Sequence, residues 1–595
     1  MLILDTEVYK NYFLCSFKSI ESGEYRHLEF YRGADSSVIG ETLSILNKNL
    51  TIGFNSNSYD LPILAAFVSG WGCQKLHALS KEIIESGKPA WVVCKDYNIA
   101  VLAAWDHIDL IEVAPGNASL KLYGARMHAT KIQDLPIEPD ASIDPSDREV
   151  LRDYCENDLD TTELLYCSLE KQIGLRVAMS QQYGMDLRSK SDAQIAETVI
   201  KSELEKLTRK SYRKPKLAPG QKYRYRDPGF VRFQSDVLQS RFEKMIDYEY
   251  EVSGKGTIKA PDFLREMFTL GTSTYQMGIG GLHSCEKSRL IRSNEKELLV
   301  DWDVASYYPS IILEQELAPK SMGKPFLHVY RSLVTRRLEA KKRGDTVVAD
   351  TLKICVNGSF GKLANQYSAL YAPELFLQVV LTGQLALLML IERMEDAGIK
   401  VVSANTDGVV CLVDRSKIRV MEDVAWNWEL DTTYLLERAE YNALSCRDVN
   451  NYIAVRCDGK IKGKGIFAGP GLMKNPDQQV IYKAVAAYIA EGVPVDKTIR
   501  ASKDIRDFLI VRRVNGGAEW KGRFVGKAVR FYRSSDLPYE QTINYKSNGN
   551  RVTRSQGCRP LMELPGEFPS DVFYEHYIRE ANKLLDDIGY QRVLC

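Results

Sequence analysis

"VVSANTDGVV", residues 401–410, decides how the rest of the chain is read. Two β-branched pairs, Val401-Val402 and Val409-Val410, flank the polar core Ser-Ala-Asn-Thr-Asp-Gly. The valines predict two strands, and Asp407-Gly408 predicts the turn between them, because both residues tolerate positive φ. A hairpin accounts for the glycine. It accounts for the aspartate as well; the other reading is that the turn holds a carboxylate out as a metal ligand, and the rest of the chain decides between them. A second acidic strand lies upstream in "LVDWDVASYYPSII", residues 299–312. Asp301 and Asp303 share one face of that strand by its two-residue period, so spacing alone leaves open which of them is the ligand.

Between the two acidic strands, helical patterns run over about 326–343 and 347–365, joined by "RGD". In "RSLVTRRLEAKKRGD", Arg337 and Lys341 stand at i, i+4. In "TLKICVNGSFGKLAN", Lys353, Asn357 and Phe360 stand at i, i+4 and i+7 and share one helix face. A guanidinium, two ammonium groups, an amide and a ring are the equipment for gripping a triphosphate and stacking on a base.

The chain start carries further acids. "LILDTEVY" puts Asp5 and Glu7 on one strand face, "GFNSNSYDLP" adds Asn55, Tyr59 and Asp60, and "YCEND" adds Tyr154 and Asp158 at i, i+4 on a helix predicted to follow Ser146. Each of these alone reads as an ordinary surface residue.

A chain of 595 residues is too long for one core. Its first 170 residues hold 14 Lys+Arg against 26 Asp+Glu, a charge of −12, and the remainder holds 65 against 52, or +13. That asymmetry fits an acidic, metal-binding unit followed by one that meets polyanions. Twelve cysteines without a CxxC pair argue against zinc, iron–sulfur or a disulfide framework and predict a reducing, cytoplasmic setting. No run of eighteen apolar residues predicts a membrane span, and "MLILDTEVYK" lacks the basic and apolar regions of a signal peptide. Residues 206–226 carry nine basic residues, three tyrosines and no acid, which fits either a solvated linker or a nucleic-acid contact strip. "YQMGIGGLHS", residues 275–284, predicts a tight loop where backbone approaches a ligand or another domain. A long apolar helix, "LFLQVVLTGQLALLMLIERMEDAG", leads into the opening hairpin. Beyond 466 the pattern is mainly helical, with a basic, aromatic insert, "WKGRFVGKAVRFYRSS".

"DVASYYPSII", "KICVNGSFG" and "ANTDGV" occur in this order and resemble motifs A, B and C of family B DNA polymerases. The resemblance implies a palm in which Asp303 and Asp407 hold two Mg2+ ions, with Mn2+ as a substitute, and it selects Asp303 over Asp301. It implies that Tyr308 excludes a 2′-hydroxyl, that Arg337, Lys341 and Lys353 hold the dNTP, and that Asn357 and Phe360 line the nascent base pair. "NNYIAV" and "KGKG" are similar to the primer-holding segment and imply DNA contacts for Tyr452, Lys462 and Lys464. The acids at the chain start are similar to the three motifs of proofreading 3′→5′ exonucleases. Asp5, Glu7, Asp60 and Asp158 would hold two further metal ions, Tyr154 would orient the attacking water, and Asn55 and Tyr59 would contact the single-stranded 3′ end. Departures from the family pattern are Asn405 and Gly408 in motif C, Gly358 and Phe360 in motif B, Tyr307 in motif A, and Asn450 where lysine is usual.

The implied architecture is α/β and multidomain: an RNase H-like exonuclease over 1–200, a linker and the start of the palm over 201–290, palm over 291–325 and 366–465, fingers over 326–365, and a DNA-binding thumb over 466–595. The implied enzyme is a monomer that extends primer-template DNA with dNTPs. Insertions typical of protein-primed bacteriophage polymerases have no room between the motifs, which predicts a conventionally primed replicase of viral or mobile-element type. No motif names a helicase, single-strand-binding protein or clamp as partner. Two competing readings are a catalytically silent DNA-binding relative and an enzyme acting mainly as an exonuclease.

Overall fold

The computed structural model describes residues 1–100, 105–216, 219–285, 288–469 and 471–590. Two compact units emerge. One comprises Met1–Ser191, Pro470–Val480 and Arg500–Tyr577; the other comprises Asp192–Gly469, Ile481–Ile499 and the chain from Ile578 on.

The first unit is built on strands β1 (Leu2–Val8), β2 (Tyr12–Ser19), β3 (Tyr25–Tyr31), β4 (Thr51–Gly53) and β5 (His107–Asp109), in the order β3-β2-β1-β4-β5. β1 pairs antiparallel with β2 and parallel with β4, so it is central and buried on both faces. Leu4 enters the core formed with helix α1 (Asp60–Val68), whereas Ile3 enters a second core with α2 (Leu120–Met127) and α3 (Asp147–Ser168). The two-residue period therefore carries Asp5 and Glu7 to the face that α3 covers. Ser146 precedes α3 as expected, but it is already helical and caps nothing; instead the Asp144 carbonyl accepts from Asp147 N–H at 2.9 Å.

His107 lies buried between Thr51 Oγ1 (2.8 Å) and Ser56 Oγ (2.6 Å), and burial first, then Arg188, pushes its pKa down to about 4. Between about 4 and the unfolded value near 6.5, only the unfolded chain takes up this proton. Stability contributed by the neutral ring is thus present above about pH 6.5 and lost as pH falls towards 4. Comparing wild type with His107→Gln by urea unfolding at pH 7 and pH 5 checks this. The wild type should lose roughly 1–2 kcal/mol more than the variant over that interval.

The second unit opens with α4 (Asp192–Thr208). A domain boundary at 200 would leave half of this helix behind. It belongs here because it packs on a later helix, at a contact only glycine permits: a Cβ on Gly358 would lie 2.8 Å from Asp192 O. The unit's sheet comprises β6 (Phe268–Leu270), β7 (Ser273–Gln276), β8 (His283–Ser284), β9 (Arg289–Arg292), β10 (Glu297–Val304), β11 (Lys400–Asn405), β12 (Gly408–Asp414), β13 (Leu436–Asp448), β14 (Asn451–Arg456) and β15 (Ile461–Lys464). Its order is β15-β14-β13-β10-β12-β11-β8-β7-β6, with β9 also on β13. Helices α5 (Tyr307–Glu314), α6 (Lys324–Arg343), α7 (Thr346–Leu363) and α8 (Pro373–Asp396) lie between β10 and β11 in the chain. α6 and α7 pair as the predicted helical hairpin. α8 is long and apolar enough to cross a membrane, and 83% of its most apolar window is buried within the protein; it is apolar nearly all round because core surrounds it.

The turn between β11 and β12 departs from expectation. Asn405 pairs with Gly408, so the two turn residues are Thr406 and Asp407, and the positive φ (60°) falls on Thr406. The reason lies outside the hairpin: Thr406 N–H donates to Leu282 O at 2.8 Å, and Gly281 leaves room for the Thr406 side chain.

Residues 466–595 form neither one body nor a mainly helical one. The first unit is completed by β16 (Ile510–Trp520), β17 (Arg523–Arg533), β18 (Asn544–Tyr545) and β19 (Cys558–Pro560), in the order β18-β16-β17-β19. The basic, aromatic insert is β17 and its turn. Val511 and Ala528 enter the core of Ile3 and Ile52, and the buried Arg530 donates to Ala129 O at 2.7 Å, which ties this sheet to the N-terminal one.

Candidate active sites

In the first unit, β1 and α3 bring Asp5, Glu7 and Asp158 together, each offering an oxygen within 4.8 Å of the others. Burial raises all three carboxyls; repulsion from the neighbouring acids adds to it at Asp5 and Glu7, while Asp158, held at about 6, is raised further only by Asp134 and opposed by Lys121 and Tyr154. Asp60, at the start of α1, lies close enough to raise Asp5 further, but its Oδ1 accepts from Thr6 Oγ1 at 2.6 Å. Burial holds Asp60 itself at about 7. Tyr154, one turn before Asp158, hydrogen-bonds that carboxylate. Neither Asp5 nor Glu7 forms an ion pair among the described residues. A pocket whose hard oxygens outnumber nearby cations fits a divalent cation, which would offset the repulsion between them.

Sequence reasoning missed Lys121. Its Nζ lies 4.9 Å from the Tyr154 ring centre and 3.6 Å from Asp134, and its charge favours ionised Glu7 and Asp158. It comes from α2, more than thirty residues before Tyr154, so no spacing rule could have pointed to it. Asp109 was missed too: it accepts from the backbone N–H groups of Asn55 (2.8 Å) and Asn57 (2.9 Å) and so shapes the loop before Asp60. Asn55 is exposed with φ 60°, and the Tyr59 hydroxyl bonds Ser80 at 2.7 Å.

In the second unit, Asp303 at the end of β10 pairs with Gly408, the residue after Asp407, and Val304 N–H donates to Asp407 O at 2.8 Å. The two exposed carboxylates thus sit at adjacent strand ends. A Cβ on Gly408 would stand 3.2 Å from Asp303 Oδ1, so glycine at this departure from the motif makes room for the acid. Loss of solvent, then Asp407 and Asp301, holds Asp303 at about 6; loss of solvent raises Asp407, opposed by Lys464 and Lys462. The ambiguity between Asp301 and Asp303 has a geometric answer: Asp301 is buried, accepts from the Tyr441 hydroxyl and lies 3.6 Å from Lys462 Nζ, whereas Asp303 is open. Asn405 is also engaged, donating to Val449 O at 3.3 Å and accepting from Thr406 Oγ1 at 3.0 Å.

The helical groups gather on the same side of this unit. Arg337 Nη1 donates to Ser306 Oγ at 3.0 Å, where Ser306 has φ 49° just after the Asp303 strand. Lys341 pairs with Glu437 at 3.7 Å, and Glu437 stands opposite Asp303 on β13. Lys353 and Asn357 are exposed on one face of α7. Phe360, from the same helix, stacks on Tyr308 at 4.3 Å and on Phe376 at 5.1 Å. Gly383 on α8 leaves space for the Tyr307 and Tyr308 rings. Tyr452 and Lys464 face each other across β14 and β15, with Lys464 Nζ 5.9 Å from the Tyr452 ring. The glycine-rich loop, legible as a close approach, meets the hairpin tip through Leu282 and is anchored by Gln384 Nε2, which donates to Gly278 O at 2.8 Å.

No protein-family model matches the chain, and no curated protein matches it in sequence. Among solved structures, the chain is similar to the family B DNA polymerase from the hyperthermophilic archaeon Pyrobaculum calidifontis, with 14% identity and a TM-score of 0.42; the similarity covers 100% of this chain and 78% of that one.

Proposed function

We propose that the chain is a template-directed DNA polymerase of family B type with a 3′→5′ exonuclease, and that it replicates the DNA of a virus or mobile element. The observation that supports the reading is the pairing of Asp303 with Gly408, the residue after Asp407, together with the bond from Arg337 to Ser306 just beyond the Asp303 strand. Asp303 and Asp407 would hold Mg2+ or Mn2+ in one site, and Asp5, Glu7, Asp60 and Asp158 would hold it in the other, an RNase H-like unit. The bound cations would activate the primer 3′-hydroxyl or a water and neutralise charge on the leaving group.

The chain's own groups do the positioning. Arg337, Lys341 and Lys353 grip the triphosphate, Lys341 exchanging Glu437 for phosphate. Asn357 and Phe360 line the new base pair, and Tyr452, Lys462 and Lys464 hold the primer strand. Tyr154 orients the attacking water, while Asn55 and Tyr59 steady the frayed 3′ end. Tyr308, clamped by Phe360, blocks a 2′-hydroxyl. Tyr308→Val should therefore raise relative use of ribonucleotides, read as the ratio of kcat/KM for rNTP and dNTP, roughly tenfold to a hundredfold. An unchanged ratio would remove Tyr308 from the sugar pocket.

The deciding experiment is a labelled primer on a DNA template with Mg2+ and dNTPs. Extension supports the proposal. No change of primer length supports a silent DNA-binding relative. Shortening even with dNTPs present supports a nuclease, a reading favoured by one observation: the engaged Asn405 amide leaves the hairpin site with fewer acids than the β1–α3 cluster.

A further inference from the structure

Two tight turns lie together at one end of the C-terminal sheet. Lys521 and Gly522, with φ 50° and 74°, join β16 to β17. Beside them β18 pairs with β16, and Lys546 N–H donates to Gly517 O at 3.0 Å. Arg551 returns opposite Asn544. Phe524 is 49% exposed, and its ring lies against Gly517 (φ 89°), where a Cβ would overlap it. Lys546 Nζ stands 5.3 Å from the Phe524 ring and Lys521 Nζ 4.7 Å from the Trp520 ring. The Trp520 indole N–H has no hydrogen-bond partner among the described residues. Lys521, Arg523, Lys546 and Arg551 are exposed and carry no ion pair among those residues, whereas Arg512 and Arg554 of the same sheet region both pair with Asp477 (2.7 and 2.8 Å).

Unpaired cations favour a polyanion. The exposed Phe524 ring and the half-buried Trp520 ring, each beside a cation, favour flat, unstacked partners. A duplex offers phosphates but keeps its base faces inside the stack; a single strand offers both. We propose that this end of the sheet binds single-stranded nucleic acid, with bases stacking on Phe524 and Trp520 and phosphates meeting Lys521, Arg523, Lys546 and Arg551. None of its residues belongs to either carboxylate site, and the inference does not rest on either reaction.

Anisotropy titration of the full-length protein with fluorescein-labelled oligo-dT, in EDTA so that no cation can bridge DNA to the acidic clusters, tests it. Phe524→Ala should weaken oligo-dT binding roughly tenfold, leave the salt dependence unchanged and leave duplex affinity within about twofold, and Phe524→Trp should restore binding. Arg523→Ala with Lys546→Ala should flatten the plot of log K against log salt by about 1.4, or 0.7 per lost phosphate contact. Wild-type oligo-dT affinity in Phe524→Ala, equal losses on single strand and duplex, or an unchanged slope in the double variant would each overturn the proposal. Phe524 is exposed, so its removal spares the fold.

Discussion

Asp407→Ala is expected to reduce primer extension at least about a thousandfold, equivalent to roughly 4 kcal/mol of transition-state stabilisation, while degradation of single-stranded DNA continues at the wild-type rate. The side chain is exposed at a turn, so the substitution opens no cavity. The turn itself is held by backbone: Val304 N–H donates to Asp407 O, and Thr406 N–H to Leu282 O. Neither bond involves the carboxylate, so the hairpin survives its loss and the defect is chemical. Gel analysis of a labelled primer, with and without dNTPs, reads both activities at once. Parallel loss of extension and degradation would contradict two independent sites and return the question to a single catalytic centre.

Asp5→Asn should do the converse, cutting degradation at least about a thousandfold and sparing extension. It carries a second signature that a merely structural role would not produce. Asp5 and Glu7, half-buried, meet the buried Asp158 beside Asp60, and loss of solvent with repulsion among the ionised carboxylates opposes folding at pH 8. Removing one charge should stabilise the cation-free protein by about 1–2 kcal/mol, seen as a higher midpoint for the first unit's transition in EDTA. Mg2+ should raise the midpoint of the wild type, because it binds the folded state alone, and raise that of Asp5→Asn much less. A variant less stable than wild type in EDTA, with an undiminished Mg2+ response, would mean that Asp5 is a structural acid and that the cation binds elsewhere.

Local pattern made much of this legible. The helical hairpin, the apolar α8, the strand bearing Asp303 and the α3 helix bearing Tyr154 and Asp158 all followed from residue periodicity, which reports which face of an element is buried. Periodicity failed where the deciding contact was distant in the chain. The turn was expected at Asp407-Gly408, but the glycine loop at 281–282 holds the backbone one residue earlier. Gly358 was a bare departure from a motif until Asp192 and Ala196 filled the space above it. The C-terminal strands read as helix and insert because Gly516-Gly517 interrupts the alternation of β16, and because the pair is stabilised by a core whose other members lie between Ile3 and Ile173.

Sequence by itself determined the chemistry on offer: hard-oxygen acids at fixed spacings, basic and aromatic groups on facing helices, and the absence of thiolate or imidazole ligand pairs. Tertiary structure alone decided which acids are free. Asp301 and Asp303 are indistinguishable along the strand, yet Tyr441 and Lys462, contributed by β13 and β15, engage one and leave the other open. Asp60 stands beside Asp5, and one of its oxygens accepts from the Thr6 hydroxyl, a partner that no spacing rule names. A carboxylate's availability depends on what lies within a few ångströms of it, and folding fills those positions from remote parts of the chain.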